Sequence, residues 1–454
     1  MRKANMESEK PIVNQNKKTK NDFDLDRTES SGVLGGVTTS AVAALVVYLY
    51  LGNLALSGAV FVGFSWVTLA LRVGPVPENR FTPLRVFVPA FGLYSLTSIA
   101  CSTSDTKLFE LGANTITLFT FVLGYLFVIS TRKKHLNLAG PTLGPVLNLT
   151  MIRGYWLASF IVYCYLAFQS KGLPLFSSDV NFYRTVFFPN GVTSTIVVVG
   201  FQCAAIVLPS VRLMDGAIKI KKIDLLITAL SVFALVSLGN RGMLAAPVIT
   251  LVIIFARKRN FKPWITVIAA LTGAFLLSYL GYLRNLGSFG ESYLGDLYAQ
   301  GYSANARFVA PILSYLGGTS ETFSRTIHLF PQVIPFQMGQ QFFGPLLHNQ
   351  SADLFLKEKF GLTYTGFGLA LGYTNAFYLD WGIWGCVLGS LLFGVFVGSI
   401  YSSANFQEPR WVALTSFTLA QLLLATYGHP FAYISYLLIP LLLFLSFRNG
   451  VRKF

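Results

Sequence analysis

The sequence predicts an all-α polytopic membrane protein of about twelve transmembrane helices, each about 20 residues long, with a long outer loop containing amphipathic helices. Three observations lead there. The 454 residues are 53% hydrophobic and only 12% charged, too apolar for a chain with a solvated skin. Apolar runs of spanning length recur along it. Its basic residues fall very unevenly on the two sides that those runs define.

The first 33 residues are polar and charged and show no signal pattern, so they read as a disordered cytoplasmic tail. Residues 34–454 read as one transmembrane domain, with spans at 34–52, 54–71, 83–101, 112–130, 154–168, 192–210, 223–239, 242–256, 262–281, 380–401, 411–427 and 431–447. Two outer connections are long, 169–191 and 282–379. The second is too apolar for a linker and too interrupted by Gly and Pro for a span. Within it, Ser351–Phe360 sets Leu354 and Phe355 beside charged neighbours, the pattern of an amphipathic helix lying on a bilayer. Cys101, Cys164, Cys203 and Cys386 lie in or at the ends of spans without metal-ligand or paired spacing, and read as small core residues.

With the N-terminus inside, inner segments carry 26 of the 35 Lys and Arg residues. The remaining nine, Lys107, Lys171, Arg184, Arg241, Arg284, Arg307, Arg325, Lys357 and Lys359, face outward. This asymmetry puts both termini in the cytoplasm and explains most of the net charge of +16 as topology, so no nucleic acid partner is expected.

Arg241 stands out. It sits in the turn Gly239-Asn240-Arg241-Gly242 between two spans, on the face that normally sheds basic residues. The same face gathers Arg184, Arg284, Arg307, Arg325, His328, His348 and His429, with Glu291, Asp296, Asp353 and Asp380. Guanidinium groups fork onto phosphate oxygens and stay charged at any physiological pH, so the set suits a polyanion at the outer leaflet. The plainer alternative is that each arginine snorkels to a headgroup or pairs with a neighbouring carboxylate. His348, in Pro345-Leu-Leu-His348-Asn349-Gln350, is placed to take a proton from a sugar hydroxyl or to serve as a structural hydrogen-bonding residue. Asp22-Phe-Asp24-Leu-Asp26 resembles a metal-binding aspartate series but lies on the opposite side, where it reads as solvated charge; no metal site or cofactor is expected.

The arginine turn and the block Leu371-Gly-Tyr-Thr-Asn-Ala-Phe-Tyr-Leu-Asp-Trp-Gly-Ile-Trp-Gly-Cys386, which leads into the Gly-rich run LGSLLFGVFVG, together resemble the O-antigen polymerase family, the Wzy-type polymerases of oligosaccharide repeat units. The block looks like that family's pattern of aromatic, Asn or Asp, aromatic, Gly, two apolar residues and Gly. Many relatives carry a Glu a few residues before the Gly pair, near where Ala376 falls here. The resemblance implies the helical C-type membrane glycosyltransferase architecture shared with O-antigen ligases, in the bacterial inner membrane. It also implies transfer of a growing glycan from undecaprenyl diphosphate to a fresh lipid-linked unit on the periplasmic face, inverting and metal-independent. A chain-length regulator and a flippase are the partner proteins it implies, beside lipid-linked oligosaccharides and membrane lipids.

On that chemistry Arg241, Arg284 and Arg307 meet the charge of the diphosphate, and His348 or Asp296 serves the acceptor hydroxyl. Asn240, Arg184, Tyr302, Arg325, Asn375 and His429 are candidate substrate contacts. Two rival functions remain. A ligase would place a His-Asn pair directly before the aromatic-Gly block, where Thr374-Asn375 stands. A flippase would line a central cavity with charge, and the spans are nearly free of it.

Overall fold

The computed structural model describes residues 81–101, 105–132, 145–177, 183, 186–188, 191–214, 222–239, 241–258, 310–342, 352–361, 371–404, 406, 409–426, 428, 435–445 and 447–449. All of them belong to one compact unit, Pro77–Phe454. In chain order the helices are α1 (Pro83–Cys101), α2 (Lys107–Arg132), α3 (Leu149–Gln169), α4 (Gly191–Met214), α5 (Lys222–Ser237), α6 (Arg241–Lys258), α7 (Ala310–Leu329), α8 (Ala352–Lys359), α9 (Tyr373–Trp384), α10 (Ser390–Ser402), α11 (Pro409–Ala425) and α12 (Ser435–Leu445). A π-helical turn, Gly385–Gly389, joins α9 to α10. Short strands β1 (Pro145–Leu147) and β2 (Phe447–Asn449) pair antiparallel.

These helices form for want of an alternative: apolar residues repeat without a polar face, and in an apolar medium only intrahelical hydrogen bonds satisfy the backbone. Four segments, Lys107–Thr131, Leu149–Phe176, Val192–Ser210 and Tyr373–Ser402, are long and apolar enough to cross a membrane. Phe168 (86% exposed), Leu392 (67%) and Phe127 (65%) point away from the bundle, as side chains do toward lipid and seldom toward water. The chain is a helical membrane protein. The spans expected at 34–52, 54–71 and 262–281, and the tail, lie outside the described residues.

Two packing systems organise the bundle. The first is α2 against α10, parallel and close: Thr117 meets Ser390, Phe121 meets Gly394, and Tyr125 meets Gly398 and Tyr401. A Cβ on Gly124 would stand 2.2 Å from the Leu391 carbonyl oxygen, and one on Gly394 2.2 Å from that of Phe121. Above this seam Tyr373 is fully buried among Phe87, Phe91, Phe121, Phe377 and Phe393, with ring centroids 5.1–6.3 Å apart. The second system groups α3, α4, α5, α6, α11 and α12 around buried Val199, Ile206, Val207, Ala246, Phe417 and Leu443.

Three sequence expectations change. Cys203 and Cys386 are buried as expected, whereas Cys164 is exposed on α3. A helix apolar all round gives no signal for which side meets protein, and a thiol loses little by facing lipid. The arginine turn is also tighter than four residues: α5 closes at Gly239, whose φ of +64° is the left-handed value a helix-ending glycine supplies, and Arg241 already opens α6. In the outer loop, α8 forms where an amphipathic helix is expected, but its Leu356 is fully buried and Phe355 packs 6.5 Å from Phe330, so it docks on protein.

Candidate functional site

The bundle has two chemically different ends. At one end Arg153, near the start of α3, holds Asp224, at the start of α5, through Nε to Oδ1 at 2.9 Å and Nη2 to Oδ2 at 3.0 Å. At the same end Arg257, near the close of α6, donates from Nη1 to Thr415 Oγ1 (2.6 Å) and from Nη2 to the Phe81 carbonyl (2.8 Å), and lies 5.3 Å over the Phe406 ring. Phe81 precedes α1 and Thr415 lies in the first turns of α11, so those helices also begin here. The other end therefore receives the start of α6, with Arg241, and the close of α1 and α11.

At this second end α1, α2, α7 and α9 enclose a polar pocket. It is lined by Phe91, Tyr94, Ser95, Ser98 and Ile99 of α1, Glu110 and Asn114 of α2, Thr319, Ser320 and Phe323 of α7, Leu371, Gly372, Tyr373, Thr374 and Asn375 at the head of α9, and Thr426. The Ser98 and Thr319 hydroxyls share a hydrogen bond of 2.7 Å, and Thr319 donates to Tyr94 Oη at 3.1 Å. The Ser320 amide donates to Ser98 Oγ at 3.1 Å, and the Ser320 hydroxyl donates to Glu110. Thr106 donates to Glu110 Oε1 at 3.0 Å, and Thr374 to Asn114 Oδ1 at 2.5 Å. Glu110 is 1% exposed. Gly372 caps α9 with φ +68°, which favours glycine, and brings Asn375 into the first helical turn. Asn375 is buried with neither carboxamide atom hydrogen-bonded.

Beyond the pocket, toward the close of α7, α9 breaks at Trp381 and Gly382, the latter with φ +60° and the Phe336 ring filling the space of a Cβ. Asp380, fully buried at this break, accepts the backbone N–H of Gln341 at 3.1 Å and of Phe342 at 2.6 Å, while its own carbonyl accepts that of Met338 at 2.9 Å. The segment after α7 is thereby fastened across α9. At the rim, His328 Nε2 lies 3.1 Å from Asp105 Oδ1, both exposed, and this contact lowers the Asp105 pKa below its ordinary value.

Of the residues expected to act, Arg241 is placed by its backbone at the pocket's end of the bundle. Its side chain lies outside the described residues, as do Arg184, Asn240, Arg284, Asp296, Tyr302, Arg307, His348 and His429. Arg325 and Asn375 are described and are not brought together: Arg325 is exposed, 5.9 Å over the Phe360 ring and off the pocket wall. Sequence reasoning passed over Glu110. It also missed the hydroxyls of Ser95-Leu-Thr-Ser98 and Thr319-Ser320. The available signal was a carboxylate and two hydroxyl-rich turns inside runs otherwise apolar. The chain matches no family model, no curated protein and no solved structure.

Proposed function

We propose that this protein polymerises lipid-linked oligosaccharide repeat units, moving a growing glycan from undecaprenyl diphosphate to the non-reducing end of a new lipid-linked unit. The observation that carries the reading is that Arg241 opens α6 at the end of the bundle where α1, α2, α7 and α9 gather a buried, hydroxyl-rich pocket. A glycan-transferring enzyme needs both neighbours: fixed cations for the lipid diphosphate and a neutral polar wall for sugar. In the proposed step an acceptor hydroxyl oxygen bonds to the anomeric carbon as the bond to the diphosphate breaks. Arg241, Arg284 and Arg307 balance the departing charge, and His348 or Asp296 takes the hydroxyl proton. Inversion, independence from metal and the C-type architecture belong to the same proposal, as does a cytoplasmic placement of both termini.

The test uses purified full-length protein with lipid-linked repeat units. Longer lipid-linked chains are expected from the wild type, and Arg241→Ala is expected to lower the rate at least about 100-fold at equal protein level, the usual loss for one charge-stabilising group. Unchanged elongation by the variant overturns the assignment. One observation favours a transporter as the second reading: Glu110, in the first turn of α2, is buried among the helices rather than solvated. Transbilayer movement of the same lipid without elongation would support it.

A further inference from the structure

Asn375 carries a demand that the fold leaves unmet. It is 2% exposed, and both its Oδ1 acceptor and its Nδ2 donor lack hydrogen-bond partners. Buried amides are nearly always paired, and an exception calls for an explanation. Asn375 lines the pocket, so its missing partners belong to whatever enters there.

The wall narrows what that is. The Glu110 carboxyl on the same wall disfavours an anion. The Nδ2 group of Asn375 disfavours a bare hard cation, which takes oxygen donors. A neutral group that both donates and accepts meets both conditions. The cavity of about 30 Å³ admits about two water-sized groups. A carboxamide presents one donor and one acceptor side by side in a plane. Two adjacent hydroxyls match it, one accepting from Nδ2 and the other donating to Oδ1. Phe91, Phe323 and Tyr373 add apolar ring surface to the same wall, suited to the C–H face of a sugar ring.

We infer that the pocket at the head of α9 is a subsite for a vicinal diol of a carbohydrate, gripped by the carboxamide of Asn375. The inference rests on the proposed handling of glycans and adds the group recognised. The space admits the hydroxyl edge of one ring, so Asn375 sets which sugar positions must be free of substituents.

The test is a binding titration of full-length protein in sugar-free detergent, read by saturation-transfer NMR. The probes are the methyl pyranosides of mannose, glucose and galactose, each beside its fully O-methylated counterpart. Binding of at least one free pyranoside is expected, weakened about tenfold or more by O-methylation and by Asn375→Leu. Asn375→Asp keeps the size and the acceptors but loses the donor, so it falls between. Leu at this position removes an unpaired amide and is expected to leave the unfolding temperature unchanged or higher; a drop assigns Asn375 to structure and overturns the subsite. Absence of pyranoside binding, equal binding of the methylated forms, or wild-type affinity in both variants also overturns it. Elongation that fails while pyranosides still bind in this pattern overturns the polymerase reading alone.

Discussion

A single buried carboxylate fastens the segment after α7 to the break in α9. Asp380 receives two backbone N–H groups from Gln341 and Phe342, donors that no helix or strand satisfies at that point. Asp380→Ala strips both bonds and leaves buried donors unpaired, an expected cost of about 2–4 kcal/mol. Asp380→Asn keeps one carbonyl acceptor and is expected to lose about half as much. Thermal unfolding of the purified protein measures the cost, and limited proteolysis locates it: cleavage is expected to rise within 331–342. An alanine variant with an unchanged transition and cleavage pattern removes this role. The sequence made Asp380 one of several outward carboxylates. Its service to a segment 38 residues away depends on where α9 breaks, which hydropathy does not encode.

At the level of helices, glycine decides which pairs approach. Gly394 lies against the Phe121 carbonyl and Gly124 against that of Leu391, so backbone faces backbone where α2 crosses α10. Gly394→Ala pushes a methyl into a carbonyl that cannot rotate away, and about 1–3 kcal/mol of destabilisation is expected. Gly112 and Gly154 are the control, since a Cβ at either meets nothing within 4 Å. Alanine there is expected to stabilise by up to about 1 kcal/mol through backbone entropy. Equal melting temperatures for all three variants contradict the close-packed seam. The Gly-rich run that the resemblance singled out thus has a packing reason in Gly394 and Gly398. The spaced pair Gly382 and Gly385 has another: the first takes a left-handed φ, and the second lets the π turn close on the Phe377 carbonyl. Span positions were legible, as with 83–101 against Pro83–Cys101, because length and hydropathy alone set them. Helix rotation was not, since lipid and protein interior are both apolar; hence Cys164 was misassigned and the polar pocket went unseen.

For the whole molecule, the arrangement of helix ends carries the functional argument. Arg153, Lys222, Arg257 and Arg410 collect at one end, and the pocket with the start of α6 lies at the other. A chain inserted by the rule that basic segments stay inside then presents the pocket to the outer face, where a lipid-linked glycan would be handled. Helix α3 joins the two ends, and its 21 residues span about 30 Å, the thickness of the hydrocarbon layer. That makes its surroundings the place to measure orientation. Phe176 lies just beyond the close of α3 and is 69% exposed, while Lys222 opens α5 at the opposite end. In a chain whose four cysteines are replaced by Ala, Phe176→Cys is expected to react with a membrane-impermeant maleimide on intact bacterial cells, and Lys222→Cys only after the membrane is opened. Labelling in the reverse order turns the pocket toward the cytoplasm and removes the outer-face polymerase reading, whatever Asn375 binds. Labelling of both positions on intact cells places the two ends of α3 and α5 on one side, and the membrane-crossing assignment of α3 fails with it.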